Sequence, residues 1–114
     1  MARAFLISGA TKGIGLATSH LLAKQGHKVI GVARNAADTS FPREMFLADL
    51  SDEKAAKDIF NEISLQHQID GVVNNVGMAI PGYLQEVTTD DLRTQLDINL
   101  RVALQVTQIF TPNM

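Results

Sequence analysis

The stretch Leu6-Ile7-Ser8-Gly9-Ala10-Thr11-Lys12-Gly13-Ile14-Gly15-Leu16-Ala17 constrains this chain more than any other. The apolar run from Ala4 to Ile7 reads as a buried strand that stops at Gly9. Three glycines in the spacing G-x-x-x-G-x-G then lead into a helical pattern that runs to Gly26. Glycines let a backbone approach an anion closely, and a helix start adds unpaired N–H groups and the positive end of the dipole. The stretch therefore reads as a phosphate cradle, against the alternative of a tight strand-to-helix turn with no ligand. Its spacing differs from the common dinucleotide fingerprint G-x-G-x-x-G, so the rest of the chain must decide.

Beyond that turn, short apolar runs alternate with helical stretches, the signature of βαβ units and a parallel sheet. A helix from about Gly13 to Gln25 carries Ile14, Ala17, Leu21 and Leu22 on one side, and Gly26 stops it. Lys28 to Ala33 and Met45 to Ala48 read as the second and third strands. A helix starting near Ser51, with Asp52 and Glu53 in its first turn, buries Ala56, Ile59, Phe60 and Ile63. Gly71 to Asn74 is the fourth strand, and Thr88-Thr89-Asp90-Asp91 opens a long helix that runs to about Thr111. The joint from Asn35 to Glu44 holds Pro42 and is short for a parallel crossover, so its helix is expected to shrink to a loop or a single turn.

The long helix has two apolar stripes. Leu92, Leu96, Ala103, Val106 and Phe110 form one, with Asn99 in its middle, and Ile98, Val102 and Ile109 form the other. One stripe is expected on the sheet. The second, through Ile98, Val102 and Ile109, is expected to meet a partner surface.

The candidate chemistry sits at strand ends. Arg34 closes the second strand, where a dinucleotide fold meets the adenosine ribose; an acid there holds a free 2′-hydroxyl and an arginine suits a 2′-phosphate. No Asp or Glu occupies Val32 to Asn35, and Lys12 adds a second cation inside the glycine turn, which favours NADP(H) over NAD(H), against the alternative of a pair of solvated surface cations. Asp49, after the third strand, either accepts the adenine amino group or caps the helix that follows. Asn74-Asn75-Val76-Gly77 either ties strand ends together beside a ligand or forms an ordinary turn. Asn99 is an amide in an apolar stripe and needs a hydrogen-bond partner; it either satisfies a nearby backbone group or holds a water. His20, His27 and His67 are dispersed, show no metal-ligand spacing and are expected to be solvated.

Taken together, Ser8-Gly9-Ala10-Thr11-Lys12-Gly13-Ile14-Gly15, Asp49-Leu50, Asn74-Asn75-Val76-Gly77 and Asp97-Ile98-Asn99-Leu100 resemble the N-terminal part of the short-chain dehydrogenase/reductase family. The family pattern is T-G-x-x-x-G-[IL]-G, an Asp after the third strand, N-N-A-G after the fourth, and an Asn in the next helix. The resemblance implies a Rossmann-type doubly wound parallel α/β sheet in the order 3-2-1-4, truncated after the fourth strand and its helix, so that residues 1–114 form a partial dinucleotide-binding domain. It implies that Gly9, Gly13, Ile14 and Gly15 border the pyrophosphate, and that Thr11, Lys12, Arg34 and Asn35 surround the 2′-phosphate. Asp49 and Leu50 would hold adenine, Asn75, Val76 and Gly77 would line the nicotinamide-side ribose, and Asn99 would be the active-site asparagine supporting a water in the proton relay. Ser8 keeps the hydroxyl of the usual Thr, and Val76 replaces the usual Ala.

The family's catalytic Ser and Tyr-x-x-x-Lys lie beyond the long helix. The only tyrosine here is Tyr83, and Val87 stands four residues later, so Tyr83 does not fill that role. The expectation is an NADP(H)-dependent oxidoreductase acting on a carbonyl/alcohol pair, with 3-oxoacyl-thioester reduction as the substrate class, in which these 114 residues alone are inactive. A non-catalytic nucleotide-binding or regulatory module of the same fold is the alternative. A net charge of −2 with 19% charged residues argues against a nucleic-acid surface, and no apolar run has membrane-spanning length. No cysteine is present. The expected setting is cytoplasmic, with no metal, a small-molecule substrate, and either self-association or association with a C-terminal piece.

Overall fold

The computed structural model describes residues 2–35 and 44–114. Strands β1 (Ala4–Ser8), β2 (Lys28–Ala33), β3 (Glu44–Leu47) and β4 (Gly71–Val73) form one parallel sheet in the order β3-β2-β1-β4. The expected strand order is met. In register, Ala4 faces Lys28, Ser8 faces Val32, Phe5 faces Gly71 and Ile30 faces Glu44. The expected loop or single turn between β2 and β3 falls on residues 36–43, outside the described residues.

Side chains of a strand alternate between faces, and here the two faces have separate cores. Leu6, Ile30 and Val32 point to one face and pack with Phe60 and Ile63 of α2 (Glu53–Gln66) and with Val102, Val106 and Phe110 of α4 (Val102–Phe110). Ile7 and Val29 point to the other, where Leu22 and Ala23 of α1 (Gly13–Lys24) cover them. The sheet is thus wound on both sides, as a Rossmann-type α/β fold requires.

Two helix faces differ from the sequence reading. Helix α1 buries Gly15 and Ser19, whereas Ile14, Ala17 and Leu21 face outward. Ser19 is buried with its hydroxyl satisfied, because its Oγ donates to Gly15 O at 2.8 Å, and small residues let the helix lie close to the sheet. The long helix is also not one regular α-helix. Helix α3 (Thr89–Leu96) passes through a π-turn at Asp97–Arg101 into α4.

A π-turn accommodates an extra residue, so a stripe drawn at 3.6-residue spacing does not continue across it. Val102, expected on a partner surface, is fully buried in the core, and Ile109 packs against the same core. Ile98 lines a cleft described below. The outward row is Leu92, Leu96, Leu100 and Leu104, each at least half exposed.

The cap positions follow the sequence closely. Asp52 Oδ1 accepts the Ala55 N–H at 3.1 Å, so Asp52 caps α2 from outside and the helix starts at Glu53, two residues past the expected Ser51; Thr88 Oγ1 accepts the Asp91 N–H at 3.0 Å, which starts α3 where the sequence places it. Of the histidines, His67 departs from the solvated reading. Its Nδ1 lies 2.7 Å from Lys28 Nζ and its Nε2 lies 2.9 Å from Glu44 Oε2, while its ring meets Phe46 edge-on. Lys28 and Glu44 begin β2 and β3, so this cluster lies at the edge of the sheet opposite the glycine turn.

Candidate functional site

The site is built at the C-terminal ends of the strands, where β1 separates a chain path running toward β3 from one running to β4. That change of direction is the usual place for a ligand crevice in an open α/β sheet. Gly9 and Gly13 have φ of +65° and +58°, values in the left-handed region that glycine adopts without strain. The Gly9 N–H donates to Val32 O at 2.9 Å, which fixes the turn to the end of β2. Ser8 Oγ accepts the N–H groups of Asn75 and Val76, each at 3.1 Å, and Asn75 Nδ2 donates to Gly9 O at 2.9 Å. The hydroxyl that Ser8 shares with the usual Thr thus holds the Asn74-Asn75 segment directly. Strand ends β1, β2 and β4 are tied together by neutral groups.

Gly15 serves packing. A Cβ there would lie 2.4 Å from Gly9 O and 2.5 Å from Asn75 Nδ2, so only glycine lets the helix start rest on the turn. Gly15 is not among the residues that line the cleft described next.

The cleft has a volume of about 720 Å³, within the range of small-molecule sites. Gly9, Thr11, Lys12, Gly13 and Ile14 form its floor at the helix start. Arg34 and Asn35 line it from the end of β2, and Asp49 and Leu50 from the end of β3. Asn75, Val76 and Gly77 line it from the end of β4. Twelve of the sequence-selected residues thus meet in one cavity, to which the structure adds Val32, Ala33, Ala48, Ser51, Met78, Thr94 and Ile98. Thr94 and Ile98 are one helical turn apart, a spacing that would have flagged them as one face.

One end of the cleft is charged. Lys12 and Arg34 are both exposed. Asp49 Oδ1 accepts the Ser51 Oγ–H at 2.6 Å and the Ser51 N–H at 3.0 Å. These Ser51 hydrogen bonds, above all that of the hydroxyl, hold the Asp49 carboxyl below its ordinary range, and the Arg34 charge adds to the effect. Asp49 therefore shapes its own turn, and the cap of α2 is Asp52.

At the other end, Asn99 clamps the chain that leaves β4. Its Oδ1 accepts the Met78 N–H at 2.8 Å and its Nδ2 donates to Met78 O at 2.8 Å. A Cβ at Gly77 would stand 3.1 Å from Asn99 Oδ1, so this clamp also fills the space beside Gly77. The amide satisfies backbone, as one of its two sequence readings held. Asn99 is exposed and stands beside the cleft, outside its lining.

The comparisons agree with this geometry. The sequence profile of the family described as short chain dehydrogenase matches residues 3–114. The 3-ketodihydrosphingosine reductase of Bacteroides thetaiotaomicron is 29% identical over 110 residues, which cover 96% of this chain and 41% of that protein. A candidate NAD(P)-dependent gluconate 5-dehydrogenase from Beutenbergia cavernae, solved with NADP at low occupancy, superposes with a TM-score of 0.90 at 29% identity; the match covers 98% of this chain and 49% of that one. An NADH-dependent reductase, A1-R′, complexed with NAD, gives 0.87 at 25% identity, over 98% of this chain and 52% of that one. The chain belongs to the short-chain dehydrogenase/reductase family, a family of oxidoreductases that use nicotinamide cofactors. It spans about half the length, or less, of the relatives it matches. Among the described residues no helix is long and apolar enough to cross a membrane.

Proposed function

We propose that this chain is the cofactor-binding part of an NADP(H)-dependent oxidoreductase that interconverts a carbonyl and an alcohol. The observation that carries the cofactor preference is that Lys12 and Arg34 line one cleft while no acid occupies Val32 to Asn35. A carboxylate there would receive a ribose 2′-hydroxyl and repel a 2′-phosphate, whereas cations attract the phosphate.

In this reading Gly9, Gly13 and the start of α1 face the diphosphate, and Thr11, Lys12, Arg34 and Asn35 face the 2′-phosphate. Asp49 and Leu50 hold the adenine, and Asn75, Val76 and Gly77 line the ribose on the nicotinamide side. Bound nicotinamide supplies or accepts the hydride. The residues of this chain bind and orient it, and Asn99 sets the position of Met78 beside it. Relatives named as reductases support carbonyl reduction, and the 3-oxoacyl-thioester class rests on the family resemblance alone. Tyr83 is 72% exposed and has no lysine four residues on, so the 114 residues by themselves are expected to show no NADPH-dependent turnover. The exposed row Leu92, Leu96, Leu100 and Leu104 supports self-association or docking of a further piece.

Calorimetric titration of the chain with NADPH and with NADH tests the central reading. NADPH should bind at least about tenfold more tightly, the worth of one or two charge-assisted hydrogen bonds. Equal affinity, or a preference for NADH, would overturn it.

A further inference from the structure

The π-turn carries a second clamp besides Asn99. Arg101 Nε and Nη2 donate to Asp97 Oδ1 and Oδ2, both at 2.8 Å, in a bidentate fork. The same guanidinium reaches across to the β3–α2 turn, where Nη2 donates to Leu50 O at 2.8 Å. Nη1 donates to Gln105 Oε1 at 2.8 Å, and Gln105 Nε2 in turn donates to Glu53 O at 3.1 Å. Four of the five guanidinium N–H groups are thus used. The side chain is only 15% exposed, with its charge compensated by Asp97.

Local bonds shape the Asp49–Glu53 turn but do not place it. The Asp49–Ser51 bonds and the Asp52 N–H to Asp49 O bond lie within the turn itself. Its start is held to β2 by the Ala48 N–H to Ala33 O bond, and the rest of its placement rests on the core packing of Leu50 and on the bonds from Arg101 and Gln105. We propose that Arg101 is a positioning residue for nucleotide binding: by bonding Leu50 O and orienting Gln105 toward Glu53 O, it fixes the Asp49–Leu50 wall of the cleft against the π-turn whose Asn99 fixes the Met78 wall. This inference rests on the dinucleotide reading above, and it assigns the spacing of the two walls to one turn of helix.

A fork of fixed geometry is required for this, because a lysine ammonium cannot meet Asp97 twice while also reaching Leu50 and Gln105. A role in charge balance alone would be rescued by lysine, and a role in placing the wall would not. The test is an amide-resolved NMR titration of the whole chain with 2′,5′-ADP and, separately, with inorganic pyrophosphate. Pyrophosphate reports on the glycine turn, and 2′,5′-ADP reports on the adenine wall as well.

Arg101→Lys and Arg101→Met should each raise the dissociation constant for 2′,5′-ADP about tenfold, as expected when charge-assisted bonds that place a wall are lost. Pyrophosphate affinity should stay the same. Gln105→Leu removes the link to Glu53 and the acceptor of Arg101 Nη1 but leaves the Asp97 fork and the Leu50 bond; it should raise the 2′,5′-ADP constant about threefold, which keeps the test available if an Arg101 variant does not fold. Unchanged 2′,5′-ADP binding in the variants, full rescue by lysine, or equal weakening of both probes would overturn the assignment. Failure of the unaltered chain to bind 2′,5′-ADP would instead remove the dinucleotide reading, and the assignment with it.

Discussion

The glycine turn that floors the cleft and the wall at the end of β3 are held in different ways. The glycine turn is fastened by neutral groups: Ser8 Oγ under two backbone N–H groups, the Asn75 amide on Gly9 O, and a helix start that only Gly15 lets close. The β3 wall is fastened by charge: Asp49 under Ser51, Arg101 between Asp97 and Leu50, with Arg34 and Lys12 exposed nearby. Neutral, tightly packed geometry accepts almost no substitution but ignores pH and salt. Charged geometry can be retuned by one residue, at the cost of sensitivity to both. A constant chemical unit such as a diphosphate suits the first kind of wall, and a variable unit suits the second.

The sharpest way to break this contrast is Gly15→Val. Its side chain would collide with backbone at Gly9 and with Asn75, and the chain should lose more than the roughly 3 kcal/mol of ordinary overpacking. Urea unfolding measures it, and a loss below 1 kcal/mol would show that the turn yields. Ser8→Ala comes next. It leaves the Asn75 and Val76 N–H groups without their acceptor and should cost about 1–3 kcal/mol, while Ser8→Thr should keep the bonds.

Arg34→Ala should act on binding and leave the fold alone. NADPH affinity should fall about tenfold with NADH affinity unchanged, and stability should stay within about 0.5 kcal/mol. The smallest effect is that of acid. The carboxyls of Asp49 and Asp97 are held below their usual range, by the Ser51 hydrogen bonds and the Arg101 hydrogen bonds respectively. Their stabilisation is complete above the unfolded carboxylate value of about 3.9 and is lost as pH falls through the lower folded values. NMR on acidification below pH ~4 should therefore move the amides of Leu50 and Ser51 while the Ser8-bound amides of Asn75 and Val76 stay in place. Simultaneous movement at both places would mean that they are one cooperative unit.

The same contrast explains what is legible in the sequence. The glycine turn is legible because its geometry is written in residue types: glycine where φ is positive, a hydroxyl beneath paired amides, an apolar run before and a helix after. Strand β2 runs from Lys28 to Ala33 as its pattern predicts. Helix α1 misleads because Ser19 counts as polar in any periodicity, yet its hydroxyl finds Gly15 O within its own helix. The faces of the long helix mislead for another reason: a regular period was carried across a turn that is not regular. For Arg101 the sequence offers one signal, Asp97 four residues before it, the spacing of a helical ion pair. Its reach to Leu50, 51 positions away in sequence, is a tertiary fact that no local pattern encodes.

The π-turn also bears on how the chain can change in length. Removing one residue from an ordinary helix rotates everything after it by about 100°, since a turn takes 3.6 residues, and would swing Val106 and Phe110 off the sheet. Within Asp97–Arg101 the surplus residue is already there, so a single deletion can tighten the turn to α geometry and leave the buried stripe of α4 facing inward. The protein would then keep its core and lose the register that lets Asn99 and Arg101 reach opposite walls. A shortened helix of this kind would be a stable fold with a slack cleft.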